Sequence, residues 1–136
     1  MKILPKSNSS RSAFTLLEMT IVIMVLLALV SIGLFASSAM DRFKFGRLAS
    51  ESLRSVYTAQ RMYLADNPTV SVASLTNALL IPYMPNNATS VPTVTSLTGA
   101  TLTIIVNVSP PVINAGSGVT YDPSGSNLDS LWDVGE

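Results

Sequence analysis

The chain contains no cysteine and no histidine. The first absence excludes disulfides, thiolate metal sites and cysteine nucleophiles. The second removes the usual zinc ligand and the commonest general base. Charge is also scarce: 12% of the 136 residues are charged, eight basic against eight acidic, for a formal net charge of zero. That balance gives no basic footprint for nucleic acid. No Walker or dinucleotide glycine motif occurs either. These absences argue against an enzyme. No residue of the chain is expected to be catalytic, to bind a cofactor or to hold a metal.

What the chain has instead is one concentrated apolar run. From Phe14 to Ala36, 18 of 23 residues are apolar, and Glu18 is the single charge. A helix crossing about 30 Å of hydrocarbon needs about 20 residues at ~1.5 Å each, which this run supplies. The run is too long for the apolar region of an ordinary cleaved secretory signal, ~7–15 residues. One membrane-spanning helix near the N-terminus is expected.

Charge is segregated around that run. Lys2, Lys6 and Arg11 precede it without an acid, and Arg42, Lys44, Arg47, Arg54 and Arg61 follow it. No base occurs after Arg61, so the remaining 75 residues are purely acidic. Basic residues flank both ends of the span, so the positive-inside rule alone leaves its orientation open. The short basic N-terminus resembles a signal n-region and favours a cytoplasmic N-terminus.

Residues 1–13 are Ser-rich and interrupted by Pro5, and read as a leader. From Phe14 no proline intervenes before Asn67-Pro68, a pair that disfavours helical geometry at Asn67. Residues 14–66 are therefore expected to form one helix, membrane-spanning over 14–40 and amphipathic over 41–67. In the second half Phe45, Ala49, Leu53, Val56, Ala59 or Gln60, and Tyr63 form an apolar stripe at three- and four-residue steps. Arg47, Arg54 and Arg61 recur every seven residues on another face. Arg47–Glu51 and Glu51–Arg54 are spaced for helical ion pairs. This charged face reads as solvated, with a charge seam between neighbouring subunits as the other reading.

Residues 68–136 read as a small α+β head. Ser74 is expected to cap a short helix carrying Leu75, Ala78 and Leu79. Prolines 82, 85 and 92 with Asn86-Asn87 mark a loop. Strands are expected at Thr93–Leu97 and Thr101–Val108, with short additions at Val112-Ile113 and Gly118–Tyr121. Asp122-Pro123-Ser124-Gly125 is a turn. Leu128–Val134 would close the sheet or lie across it. A head of this size buries too little to stand alone, so it should lean on the helix stripe. The fold class is α+β: a long N-terminal helix packed against a small antiparallel sheet.

Glu18 carries the strongest functional signal. A lone carboxylate in an apolar span costs about 2.5–3.5 kcal/mol at the helix centre and less near an end, unless it is paired. A plain anchor gains nothing from it. The alternative is that Glu18 snorkels to the cytoplasmic interface, since it lies four residues into the run.

The segment Ser12-Ala13-Phe14-Thr15-Leu16-Leu17-Glu18, followed by the apolar helix, resembles the N-terminal signature of type IV pilins and type II secretion pseudopilins. The resemblance implies cleavage by a prepilin peptidase between Ala13 and Phe14, with N-methylation of Phe14. Glu18 would be the assembly carboxylate. Two departures are visible. The family usually has glycine where this chain has Ala13, and many adhesive pilins carry a C-terminal cysteine pair that is missing here. The second departure favours the secretion-type branch. Tyr63-Leu64-Ala65-Asp66-Asn67 and Tyr121-Asp122-Pro123-Ser124 with Asp129-Ser130-Leu131-Trp132 are similar to parts of major pseudopilins, although a helix cap and a β-turn would look the same. Some pseudopilins hold calcium with acidic loop residues. Asp122, Asp129 and Asp133 lack EF-hand spacing, and no metal is assigned to them.

The resemblance implies a structural subunit stored in the inner membrane, with its N-terminus cytoplasmic and its head periplasmic or extracellular. Its partners would be membrane lipid before assembly, prepilin peptidase, the inner-membrane assembly platform, and itself or other pilins in a helical polymer. The rival is a single-pass membrane-anchored extracellular binding module that does not polymerise. A secreted protein released by ordinary signal peptidase is the third reading.

Overall fold

A computed structural model of the chain describes residues 15–135. The expected leader and the expected cut at Ala13 and Phe14 lie outside them. The chain is α+β, with one long helix α1 (Leu16–Asp66), a short helix α2 (Asn77–Leu80) and three short strands. Thr15 starts α1: its Oγ1 accepts the backbone N–H of Glu18 at 3.2 Å, satisfying a donor the helix leaves unpaired. The stop falls at Asn67-Pro68 as expected. There the Asn67 N–H donates to the Tyr63 carbonyl at 2.9 Å and its Nδ2 to the same oxygen at 3.0 Å.

The chain divides into two units, one reaching Ser38 and one from Ala39 onward. In the first, every residue from Thr15 to Ser38 is exposed, and the helix is long and apolar enough to cross a membrane. Its hydroxyls turn back on the helix's own carbonyls. Thr20 Oγ1 donates to Leu17 O at 2.8 Å and Ser31 Oγ to Leu27 O at 2.8 Å. These bonds leave neither hydroxyl seeking a partner in an apolar surrounding.

In the second unit α1 buries Gly46, Ala49, Ser50, Leu53, Val56, Ala59 and Gln60. This is the expected stripe, with Phe45 and Tyr63 packed at its borders. The strands β1 (Val94–Thr95), β2 (Thr101–Ile105) and β3 (Val112–Asn114) form one antiparallel sheet in the order β1-β2-β3. Val94 faces Leu102, and Ile104 faces Ile113. A single bridge from Asn114 to Thr120 extends the third strand's pairing. Leu53 and Val56 of the helix join Leu80, Val94, Ile104, Ile113 and Trp132 in one core.

Four expectations about the head are corrected. Ser74 does not cap α2. It ends a 3-10 turn over Val72–Ser74, and its Oγ donates to Ser71 O at 2.7 Å. Leu75 then runs extended into the core, so α2 begins only after Thr76. Strand β1 is shorter than Thr93–Leu97 because Ser96 closes a tight turn, accepting Gly99 N–H on its carbonyl and Ala100 N–H on its hydroxyl. Strand β2 stops at Ile105, and the carbonyls of Val106 and Val108 go to the helix instead. Leu128–Val134 does not close the sheet, the first of its two readings: Ser130 and Trp132 have φ of 57° and 66°, which breaks the pleat.

Candidate functional site

Of the expected site residues, Ala13 and Phe14 lie outside the described residues, and Glu18 sits exposed in the first turn of α1. Thr15-Leu16-Leu17-Glu18 has the spacing of a capping box, in which a threonine hydroxyl takes the N–H of the third helical residue. The bond from Glu18 N–H to Thr15 Oγ1 is the threonine half of that device. Thr15 is a further residue of this site, and its signal in the sequence is the Thr-x-x-Glu pattern. Beyond Glu18 the next acid on the helix is Asp41. Among the described residues the carboxylate is the one charge from Thr15 to Met40, at the start of a long apolar surface where a cation is its natural complement.

The second unit is built around a clasp between α1 and the C-terminal segment. Gly46, Ser50 and Arg54 recur every four residues along one helix line. Each takes one backbone group of that segment. The Trp132 N–H donates to Gly46 O at 3.2 Å, Ser50 Oγ to Ser130 O at 2.7 Å, and Arg54 Nε to Val134 O at 2.7 Å. Two turns further on, Gln60 Nε2 donates to Val106 O at 3.0 Å and Val108 O at 2.8 Å. Arg54, on the face read as solvated, is exposed and still reaches back to close the head. Arg47 and Arg61 remain exposed, with the Arg61 guanidinium 5.7 Å above the Tyr57 ring.

The acids of the head are spent differently from one another. Asp122 Oδ1 accepts Ser124 N–H at 3.0 Å and Ser124 Oγ–H at 2.6 Å, and Asp129 Oδ1 accepts Leu131 N–H at 2.9 Å. These are local loop braces of the Asx type. Among the described residues no group of three acids is placed to hold a metal ion. Both oxygens of Asp133 are buried without a hydrogen bond of good geometry. Burial pushes its carboxyl above the ordinary range, and the charges of Asp129 and Asp122 add to that. The Gly135 backbone and Arg54 offset part of the rise. A cavity of about 320 Å³ lies alongside, walled by Pro110, Pro111, Trp132 and Asp133. At the other end of the helix, the Tyr83 hydroxyl donates to Asp66 Oδ2 at 2.9 Å, which holds the phenol above its usual value.

No protein-family model, curated protein or solved structure matches this chain.

Proposed function

We propose that the protein is a non-enzymatic structural subunit of a type IV pilus-like filament, of the type II secretion pseudopilin kind. It is cut between Ala13 and Phe14, methylated on Phe14 and assembled through α1. The observation that carries this reading is Glu18, the one charge at the head of an exposed apolar helix, directly after Ala13-Phe14-Thr15. After the cut, Phe14 presents a positively charged amine four residues from that carboxylate. In a low-dielectric surrounding an unpaired charge costs several kcal/mol, roughly, and a paired one is tolerated. An amine–carboxylate pair, between neighbours or within one chain, would fix the axial register of otherwise uniform apolar helices, as one buried polar residue fixes register in a coiled coil.

A second reading rests on the cap. Thr15 and Glu18 also fit a plain helix start, which a single-pass membrane-anchored binding module would use equally well. The intact mass of the membrane-extracted protein separates the two. Loss of residues 1–13 with gain of a methyl group supports the filament subunit. A retained leader supports the anchor.

A further inference from the structure

Two unpartnered features of the second unit complement each other. The first is a shallow groove of about 450 Å³ on α1, lined by Met40, Asp41, Phe43, Lys44, Arg47 and Leu48. Its apolar members stay open: Met40 is 71% exposed, Phe43 57% and Leu48 52%. The second is the tip of the loop that follows the Asp122 turn. There Leu128 is 83% exposed and is followed by the exposed Asp129. The loop is braced from inside: Asp122 holds Ser124, Leu128 N–H donates to Ser126 Oγ at 3.4 Å, and Asp129 caps Leu131. Leu128 is thus presented as an apolar knob with an acid beside it, and the groove as an apolar hollow lined by two bases, Lys44 and Arg47, against one acid, Asp41.

Charge carries the choice of occupant. All bases from Arg42 onward lie on α1, and all acids beyond Asp66 lie between Asp122 and the C-terminus. The acidic knob and the basic groove therefore belong to two different regions of one chain, and a second copy supplies each with its complement. We propose that Leu128 of one copy seats against Phe43 and Leu48 of another, with Asp129 against Lys44 and Arg47. Knob and groove are different surfaces, so the contact is heterologous and repeats from copy to copy rather than closing on a pair. One such knob buries far less surface than a stable dimer needs. It acts as a register contact within an array held by many contacts, and in that respect it rests on the filament reading above.

The chain has no cysteine, so cross-linking reads this contact cleanly. Leu48→Cys and Leu128→Cys are placed in separate full-length chains, co-expressed in membranes, and oxidised mildly. A mixed disulfide dimer is expected, which neither variant gives alone. Phe43→Cys with Leu128→Cys is a second pair that guards against local misfolding at Leu48. Reversing one charge, by Arg47→Asp or Asp129→Arg, is expected to lower the yield about threefold, as for an exposed ion pair. Combining the two reversals in partner chains should restore it. Absence of the mixed dimer in both pairs overturns the contact, as does equal yield from a control pair at the exposed Met62 and Val119. Sheared filaments from cells that give no cross-link would sink the contact and leave the filament reading standing. A cross-link in membranes that never yield filaments would do the reverse.

Discussion

Gly46 and Trp132 meet where the C-terminal segment lies closest to α1. The Trp132 N–H donates to the Gly46 carbonyl at 3.2 Å, and a Cβ at position 46 would fall 3.0 Å from the indole Nε1 and 3.1 Å from Leu131 Cβ. Glycine in mid-helix ordinarily costs about 1 kcal/mol relative to alanine. Here the cost is offset by the packing that the missing side chain permits. The indole is 4% exposed and stacks edge-on to Tyr121 at 5.2 Å between ring centroids.

Gly46→Val should therefore displace the C-terminal segment. The overpacking cost is about 1–3 kcal/mol, and Trp132 becomes more exposed. Trp132 is the only tryptophan, so its emission reports the clasp directly. Unchanged emission and unchanged thermal stability would show that the segment docks elsewhere.

Gln60→Leu should also weaken the head, by a different route. It removes two hydrogen bonds and leaves the Val106 and Val108 carbonyls facing an apolar side chain. An unpaired buried acceptor costs about 1–3 kcal/mol, partly offset because the substitution also deletes the unpartnered Gln60 Oε1. Urea unfolding of the full chain in detergent measures the difference. A variant as stable as the parent would mean water serves those carbonyls instead.

Asp133 makes stability depend on pH in a stated direction. Its folded pKa lies above the ordinary value of 3.8 because its charged form is desolvated. Folding therefore favours the protonated acid. That contribution is fully present below the unfolded pKa and is lost as pH rises through the folded one. Asp133→Asn should raise thermal stability at neutral pH and flatten its decline as pH rises above the unfolded value of 3.8. Identical pH profiles for the two chains would contradict the assignment.

Ala13→Leu is expected to leave membrane insertion intact and block maturation, because the proposed peptidase must fit the residue before the cut. Gel mobility or intact mass of the membrane pool reads the outcome. Normal maturation of the variant would move the cut away from Ala13 and Phe14.

Glu18→Val is expected to leave expression and insertion normal or slightly improved, since it removes a charge that costs about 2.5–3.5 kcal/mol at mid-span and less near an end. Filament assembly should collapse. Glu18→Asp should be intermediate, keeping the charge with a shorter reach. The measurement is the sheared-filament fraction beside the total membrane pool. Parental filament yields from Glu18→Val would leave Glu18 with no role beyond the helix start and the interface.

Local chemistry made much of this legible in advance. The apolar span, the stop at Asn67-Pro68 and the stripe from Phe45 to Tyr63 depend on composition, on a proline clash and on a 3.6-residue period. All three are properties of neighbouring residues, and the structure places them as read. The Asp122 turn is legible for the same reason, because an aspartate side chain bonds backbone only two residues on. For the candidate assembly residues, the sequence supplied Glu18 and missed its cap, Thr15, which was also within local reach.

Backbone groups with no local partner find theirs only across the folded chain. The strand end at Ile105 and the irregular path of Leu128–Val134 follow from carbonyls and amides that go to Gln60, Gly46, Ser50 and Arg54. The clasp pairs Ser50 with Ser130 and Arg54 with Val134, each 80 residues apart in the chain. No periodicity or propensity spans that distance. A β-rich run reads as strand until a distant side chain takes its hydrogen bonds. Where α1 turns apolar, where it ends and which stripe it buries follow from neighbouring residues alone. Which backbone groups of the head that stripe takes was decided only when the chain folded back, because hydrogen-bond satisfaction is settled between segments rather than within them.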